Sequence, residues 1–446
     1  MENKASMKTP ICDFIKNYIS QKNTRLHMPG HKGCGLLGYE EFDITEIRGA
    51  DSLYEADGII MESEQNASDL FGCDTFYSTE GSTQCIKAML YLALTVSGGN
   101  KTIAAGRNAH KSFLSAAALL DLNVDWLCGS GENHLSLSLT ADDVENYFKS
   151  AANLPFALYL TSPDYLGNML DIKSIADVCK KYSVLLLTDN AHGAYLKFLN
   201  PSEHPVDLGA DMCSASAHKT LPVLTGGAYL QISKAADPYF KNNAKSALAL
   251  FGSTSPSYLI LQSLDMANKY LSDYSPRLLV FANKLQNLKS SLKEKGFTLI
   301  GNEPLKITIH AKSYGYKGFE IADYLNKNKI VAEFFDADFI TLMFTPEIES
   351  EDLKRLYSAL SALPQKEKIT VKPPVLKLPI KKFSVREAFF SKFETVDIKN
   401  ALGRISASPT AACPPAVPVV MSGEEIDKAV IEAFEYYGVK KCNVII

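Results

Sequence analysis

The chain has no run of the ~18–20 apolar residues that a helix needs to cross a bilayer, so no membrane span is expected. It starts Met1-Glu2-Asn3-Lys4 and continues into a polar segment without the apolar core of a secretory signal. Its nine cysteines contain no CxxC pair and no disulfide framework. Scattered thiols of odd number suit a reducing compartment, where most serve as small core residues. A cytoplasmic location is therefore expected. A strong charge of one sign is also missing: the net charge is -4, which gives no footprint for nucleic acid or another polyanion. No metal is expected, and neither an internal repeat nor a low-complexity tract is present.

What is present is the composition of a globular protein, 46% apolar and 22% charged over 446 residues, enough for two or three domains. Residues 1–73 read as an N-terminal arm and linker segment. Within them, Ile11, Phe14, Ile15 and Tyr18 stand at helical spacing over 11–19, before the breaker-rich loop His27-Met28-Pro29-Gly30-His31-Lys32-Gly33. That loop is either a surface turn or part of a site. Strand candidates follow at 102–105, 124–127, 156–160, 184–187, 212–215 and 228–232, with helical stretches at 82–96, 111–120, 141–151 and 172–181. Strands alternating with helices indicate an α/β domain with a mainly parallel sheet, assigned to 74–256. Long helices at 258–271 and 277–295 and strands at 297–300, 305–310, 330–334 and 339–344 make a smaller α+β domain over 257–371. After the linker Lys372-Pro373-Pro374 and Lys377-Leu378-Pro379, residues 372–446 form a compact C-terminal domain.

Lys219 and Asp189 carry the chemistry. Asp189 closes the apolar run at 184–187, and Lys219 follows a later strand in Ser216-Ala217-His218-Lys219-Thr220. A pyridoxal phosphate enzyme needs this pair: the lysine forms the Schiff base, and the carboxylate keeps the pyridine nitrogen protonated. Lys32 and Lys111 also sit among histidines, but only Lys219 has an acidic partner one crossover earlier. Ligands of open α/β sheets bind at the carboxyl ends of the strands. There Gly81-Ser82-Thr83 opens a helix whose free N–H groups and dipole favour a phosphate. His110 follows a strand and can stack on a flat ring or move protons. His192 lies three residues after Asp189, within reach of the ring or its phenolic oxygen. Ser216 and His218 are placed for the phosphate.

Five segments resemble the Orn/Lys/Arg decarboxylases in their short form without a wing domain. They are the loop at 27–33, Asn108-Ala109-His110-Lys111-Ser112, Asp189-Asn190-Ala191-His192-Gly193-Ala194, Ser216-Ala217-His218-Lys219-Thr220-Leu221-Pro222 and Thr254-Ser255-Pro256-Ser257-Tyr258. The tail resembles the family's C-terminal domain in Arg386-Glu387-Ala388, Gly403-Arg404-Ile405 and Cys413-Pro414-Pro415 through Gly423-Glu424. The resemblance implies the PLP-dependent transferase fold type I, with a mainly parallel seven-stranded sheet. It implies pyridoxal 5'-phosphate bound by Lys219, Asp189, His110, His192, Gly81, Ser82, Thr83, Ser216 and His218. It implies Ser253 or Thr254 reaching the phosphate of a neighbouring subunit, hence at least a homodimer. The implied reaction is decarboxylation of arginine, lysine or ornithine, a chemistry used in polyamine biosynthesis.

Three positions depart from the family pattern: Glu80 where Asn is usual, Asn190 where Glu is common, and Ala416 where Gly is usual. An aminotransferase of the same fold and a non-catalytic relative are the alternatives. A cysteine desulfurase is disfavoured, since no cysteine lies between Cys213 and Cys413. The substrate's distal cation needs an acidic partner, for which Glu424 and Asp164 are the candidates.

Overall fold

The short apolar runs become strands, and the breaker-rich segments between them become turns. The computed structural model describes residues 7–129, 134–375, 378–409 and 417–446. Two units are distinguished, Met1–Gly99 with Leu185–Arg277, and Asn100–Val184 with Leu278–Ile446. In chain order the strands are β1 (Asp74–Ser78), β2 (Thr102–Gly106), β3 (Asn123–Leu127), β4 (Ala157–Thr161), β5 (Leu185–Asp189), β6 (Met212–Ala215), β7 (Ala228–Ile232), β8 (Leu299–Ile300), β9 (Lys306–His310), β10 (Phe334–Phe335), β11 (Phe339–Met343), β12 (Phe393–Asp397) and β13 (Lys441–Ile445).

In the first unit the strand order is β1-β7-β6-β5. β5 and β6 run parallel, with Asp189 opposite Ser214. β7 runs against both neighbours, pairing Tyr229 with Ala215 and Ala228 with Ser78. The link from β6 to β7 explains the reversal. Its only helical segment is Ala217–Thr220. Four helical residues span about 6 Å, well short of a strand's length, so the chain cannot cross back and must turn in place. The ends of β1, β5 and β6 therefore meet at one edge of the sheet.

Helices back this edge. Gly81–Thr95 packs on β6, on β7 and against Pro238–Phe251. The helix Pro10–Ser20 buries Ile11 and Ile15 completely, against Ile59–Phe71 and Tyr258–Leu271. Each isoleucine contributes about 2 kcal/mol. The start of this helix is held by Asp265, which accepts the Cys12 N–H at 3.0 Å and the Ser63 hydroxyl at 2.7 Å.

In the second unit β2 lies between β3 and β4, parallel to both. Helix Lys111–Leu120 follows β2, and Ala141–Ser150 follows β3 behind a Thr140/Asp143 capping box. The unit also holds an antiparallel sheet of order β10-β11-β9-β8 and the antiparallel pair β12–β13, whose strands are far apart in the chain. Arg386, on helix Val385–Phe390, donates to Ala118 O at 2.9 Å and Leu119 O at 3.2 Å. These carbonyls end helix Lys111–Leu120 and would otherwise lack donors.

The α/β class holds, with four strands of the large-domain set in one unit and three in the other, seven in all. β5–β6, β2–β3 and β2–β4 are parallel. One expectation is corrected. The strand expected at 330–334 is Phe334–Phe335, because the chain there is still leaving the preceding helix, with the Ile330 N–H on Leu325 O at 2.9 Å. Among the described residues no helix is long and apolar enough to cross a membrane.

Burial raises the Asp265 carboxyl to about 6, despite its hydrogen bonds from Cys12 and Ser63. A raised carboxyl favours the folded state when protonated, so this contribution is full below about 4 and fades as pH rises through about 6. Urea unfolding across that window should show stability falling more steeply with pH in the wild type than in Asp265→Asn. Equal slopes would refute the assignment.

Candidate active site

At the sheet edge of the first unit, Asp189 is the last residue of β5 and almost fully buried. Its Oδ1 accepts the Ala191 N–H at 3.1 Å, which fixes the carboxylate. Lys219 lies in the turn Ala217–Thr220 and is half-buried. Its Nζ is 3.2 Å from Nε2 of buried His192. With lysine as an ammonium, only a neutral imidazole can accept that bond. Fold-back after β5 needs Gly193, since a Cβ there would lie 1.9 Å from Asn190 Oδ1. Asn190 is wholly buried, and neither polar atom of its side chain has a hydrogen-bond partner among the described residues.

The same edge presents donors for an anion. Gly81 takes φ +73° at the first turn of its helix, with its N–H on Gly226 O at 2.7 Å. Ser82 and Thr83 follow, half-buried. Ser214, at the end of β6, donates to Ser82 O at 3.3 Å, which ties this helix start to the strand. Ser216 is buried, and its hydroxyl has no partner among the described residues. A buried hydroxyl without a partner is costly unless a ligand or water meets it. His218 donates from Nδ1 to Gly227 O at 2.9 Å. Burial lowers the His218 pKa against that hydrogen bond, and the Lys219 charge lowers it further. Hydroxyls, a helix start and an imidazole together fit a phosphate.

Ser253 and Thr254 lie in the exposed segment before Ser257, the N-cap of the next helix. The Ser253 N–H is held by the Glu80 carboxylate. Glu80, one of the three departures, thus ties the Ser253 segment to the start of helix Gly81–Thr95. In the arm, His27 bonds Tyr18 at 2.6 Å and His31 pairs with Asp43 at 3.2 Å. Cys413, Pro414, Pro415 and Ala416 lie outside the described residues.

His110 belongs to the second unit, where it caps helix Lys111–Leu120. Its Nδ1 accepts the Ser112 N–H at 3.1 Å, so a neutral ring carries its proton on Nε2. The two acidic candidates for the substrate's distal cation are both engaged within the chain. Glu424 is buried and takes both guanidinium nitrogens of Arg107, at 2.6 and 2.7 Å, plus the Met421 N–H at 2.7 Å. Asp164 accepts from Ser136 at 2.7 Å and from the Asn168 N–H at 2.9 Å, and burial raises its pKa. Arg107 also faces Trp126, 5.4 Å from the ring centroid. Sequence reasoning gave Arg107 no role, although it stands three residues before His110. Its partner lies 317 residues away, beyond any local signal.

The family model for the Orn/Lys/Arg decarboxylase major domain matches residues 9–295, and that for the family's C-terminal domain matches 372–441. The chain belongs to the Orn/Lys/Arg decarboxylase family. The family's members are amino-acid decarboxylases, and this chain is an enzyme of that class. It is 29% identical to an arginine decarboxylase of Bacillus subtilis (strain 168), over 94% of this chain and 91% of that protein. It is 27% identical to an arginine decarboxylase of Halalkalibacterium halodurans, over 95% and 92%. Among solved structures it is similar to the constitutive lysine decarboxylase of E. coli, with a TM-score of 0.78, 17% identity and 98% and 82% of the two chains covered. That likeness speaks for the fold alone.

Arg107→Ala would leave the Glu424 carboxylate buried and unpaired. Thermal or urea unfolding should show a loss of about 3 kcal/mol. Arg107→Lys, which keeps the charge but loses the fork, should recover part of it. No change in either variant would show that the pair does not hold the C-terminal segment.

Proposed function

We propose that the protein decarboxylates a basic amino acid, arginine, lysine or ornithine, to the corresponding amine with pyridoxal 5'-phosphate as cofactor. The observation that carries this reading is the half-buried Lys219, 3.2 Å from His192, on the sheet edge that ends in buried Asp189. The family match and the curated arginine decarboxylase relatives support the substrate class.

When bound, the cofactor supplies an electron sink for the pair left by departing CO2. In this proposal Lys219 holds it through its ε-amine. Asp189 keeps a proton on the pyridine nitrogen, because an anion beside that site favours its charged form. Gly81, Ser82, Thr83, Ser216 and His218 receive the phosphate. His192 takes the Lys219 proton when the amine must be neutral, and it or Lys219 returns a proton to the product carbon. His110 would face the ring, its Nδ1 anchored by Ser112. Ser253 or Thr254 would complete the site of a second copy, making the working unit a homodimer, with Glu80 holding the segment in place.

The division into an arm at 1–73, a large domain at 74–256, a small domain at 257–371 and a C-terminal domain at 372–446 is part of the same proposal. So is a cytoplasmic setting in polyamine biosynthesis. It is supported by the absence of disulfides among the described cysteines.

The protein should release CO2 from at least one of arginine, lysine and ornithine, and from no acidic amino acid. Keto acid without CO2 would point to an aminotransferase instead. Lys219→Ala should lose the borohydride-reducible link to the cofactor. A variant that kept a normal link would overturn the assignment. Asp189→Ala should lower turnover on the order of 100-fold and weaken cofactor retention. Wild-type turnover would remove the electron-sink role.

A further inference from the structure

The second unit contains a cavity of about 330 Å3 that the proposed reaction does not use. Phe319, Phe334, Phe335 and Tyr437 form much of its wall, with Asp336 and His134 as polar members. The His134 and Tyr437 rings meet edge to face with centroids 4.6 Å apart, and Tyr437 meets Tyr436 the same way at 5.0 Å. Aromatic faces carry negative charge density and attract cations. The Lys312 ammonium nearby is engaged by the Tyr436 hydroxyl and by Asp338, so it leaves these ring faces open.

The two carboxylates beside this wall are differently engaged. Lys312 pairs with Asp338, its ammonium 2.7 Å from Oδ1, while Lys317 stands 5.5 Å from the Phe319 ring centroid. The Tyr436 hydroxyl bonds the same oxygen at 2.6 Å. Asp338 is 1% exposed, and its other oxygen has no hydrogen-bond partner among the described residues. Asp336 accepts the N–H groups of Asp338 and Phe339 on Oδ1, both at 2.7 Å. Asp336 is thus a carboxylate bonded to backbone N–H groups, whose pKa burial raises to about 6, still ionised at neutral pH. His134 does not offset it, because burial and the nearby Arg107 charge lower its pKa to about 4. Its Nδ1 is buried and has no partner among the described residues. Arg107 is itself committed to Glu424.

We infer that this cavity is a binding site for an alkylammonium monocation, with Asp336 as counter-ion, His134 as hydrogen-bond partner and the aromatic rings around the methylene groups. A carboxylate supplies the charge complement, a neutral imidazole can accept an N–H, and the apolar wall accounts for a carbon chain rather than a metal ion. Amines of this class include the products of the proposed reaction, but the cavity shares no lining residue with the site proposed for the cofactor and is read by binding alone.

The probe is n-butylammonium, titrated into the full-length wild-type protein by calorimetry or ligand-observed NMR, with n-butanol as its neutral counterpart. The cation should bind and the alcohol should bind at least about tenfold more weakly. Asp336→Asn, which keeps an acceptor for the two backbone N–H groups, should weaken the cation by a similar factor. Phe335→Ala, at a half-exposed position that tolerates truncation, should weaken it several-fold if Asp336→Asn does not fold. Lys219→Ala should leave the affinity unchanged. Equal binding of alcohol and cation, an unaffected cation in both cavity variants, or loss of binding in Lys219→Ala would each overturn the inference.

Discussion

The constraint on which the site depends is the reversal of β7 against β6. Because the chain turns in place after Ala215, the lysine-bearing turn stays at the edge where β5 ends. β1 pairs antiparallel with β7, so its end returns to that edge as well and delivers the start of helix Gly81–Thr95. Three chemical groups from distant parts of the chain, an amine, a carboxylate and an anion cradle that starts at the left-handed Gly81, then come to one sheet edge. The parallel pairing of β5 and β6 sets Lys219 on the edge of Asp189, and the reversed β7 brings the end of β1 to it.

Some buried polar groups are fully engaged and others are open, and both kinds occur across the molecule. Structural charges are closed off: Glu424 is gripped by both nitrogens of Arg107, and Glu64 by Lys245 at 2.6 Å. A buried charge left single would cost several kcal/mol, so such pairs come complete. The open kind occurs around Lys219. The Ser216 hydroxyl and the Asn190 amide are buried with hydrogen-bonding capacity still open among the described residues. Open capacity next to an engaged Lys219–His192 pair is the arrangement of a place built to receive something.

Membership of the Orn/Lys/Arg decarboxylase family gives these features a chemical frame. Two departures from the family pattern acquire physical content in the structure. Glu80 spends its charge on the Ser253 backbone, which makes it a tether. Asn190 puts a neutral amide where an acid is common, directly after Asp189, so the carboxylate there has no like-charged neighbour in sequence.

Periodicity placed β2 to β7 closely, because four or five apolar residues between breakers leave few alternatives, but it passed over β1. It also placed Lys219, Asp189 and Ser82 at strand or helix ends, since ligand chemistry collects there in α/β sheets. It was silent on helices Ile59–Phe71 and Pro238–Phe251, whose apolar positions are diluted by polar ones. It overextended β10, whose expected start is still tied to the end of the preceding helix.

The sequence by itself determined the fold class, the candidate amine and its acidic counterpart, because these are written in local pattern and residue type. Only the tertiary structure decided which partner each charge takes. Arg107 and Glu424 meet across 317 residues, His192 turns toward Lys219, and Asp265 reaches the first turn of a helix near the N-terminus. Each of these contacts is set by packing that brings remote segments within 3.2 Å, and no spacing along the chain encodes such a distance.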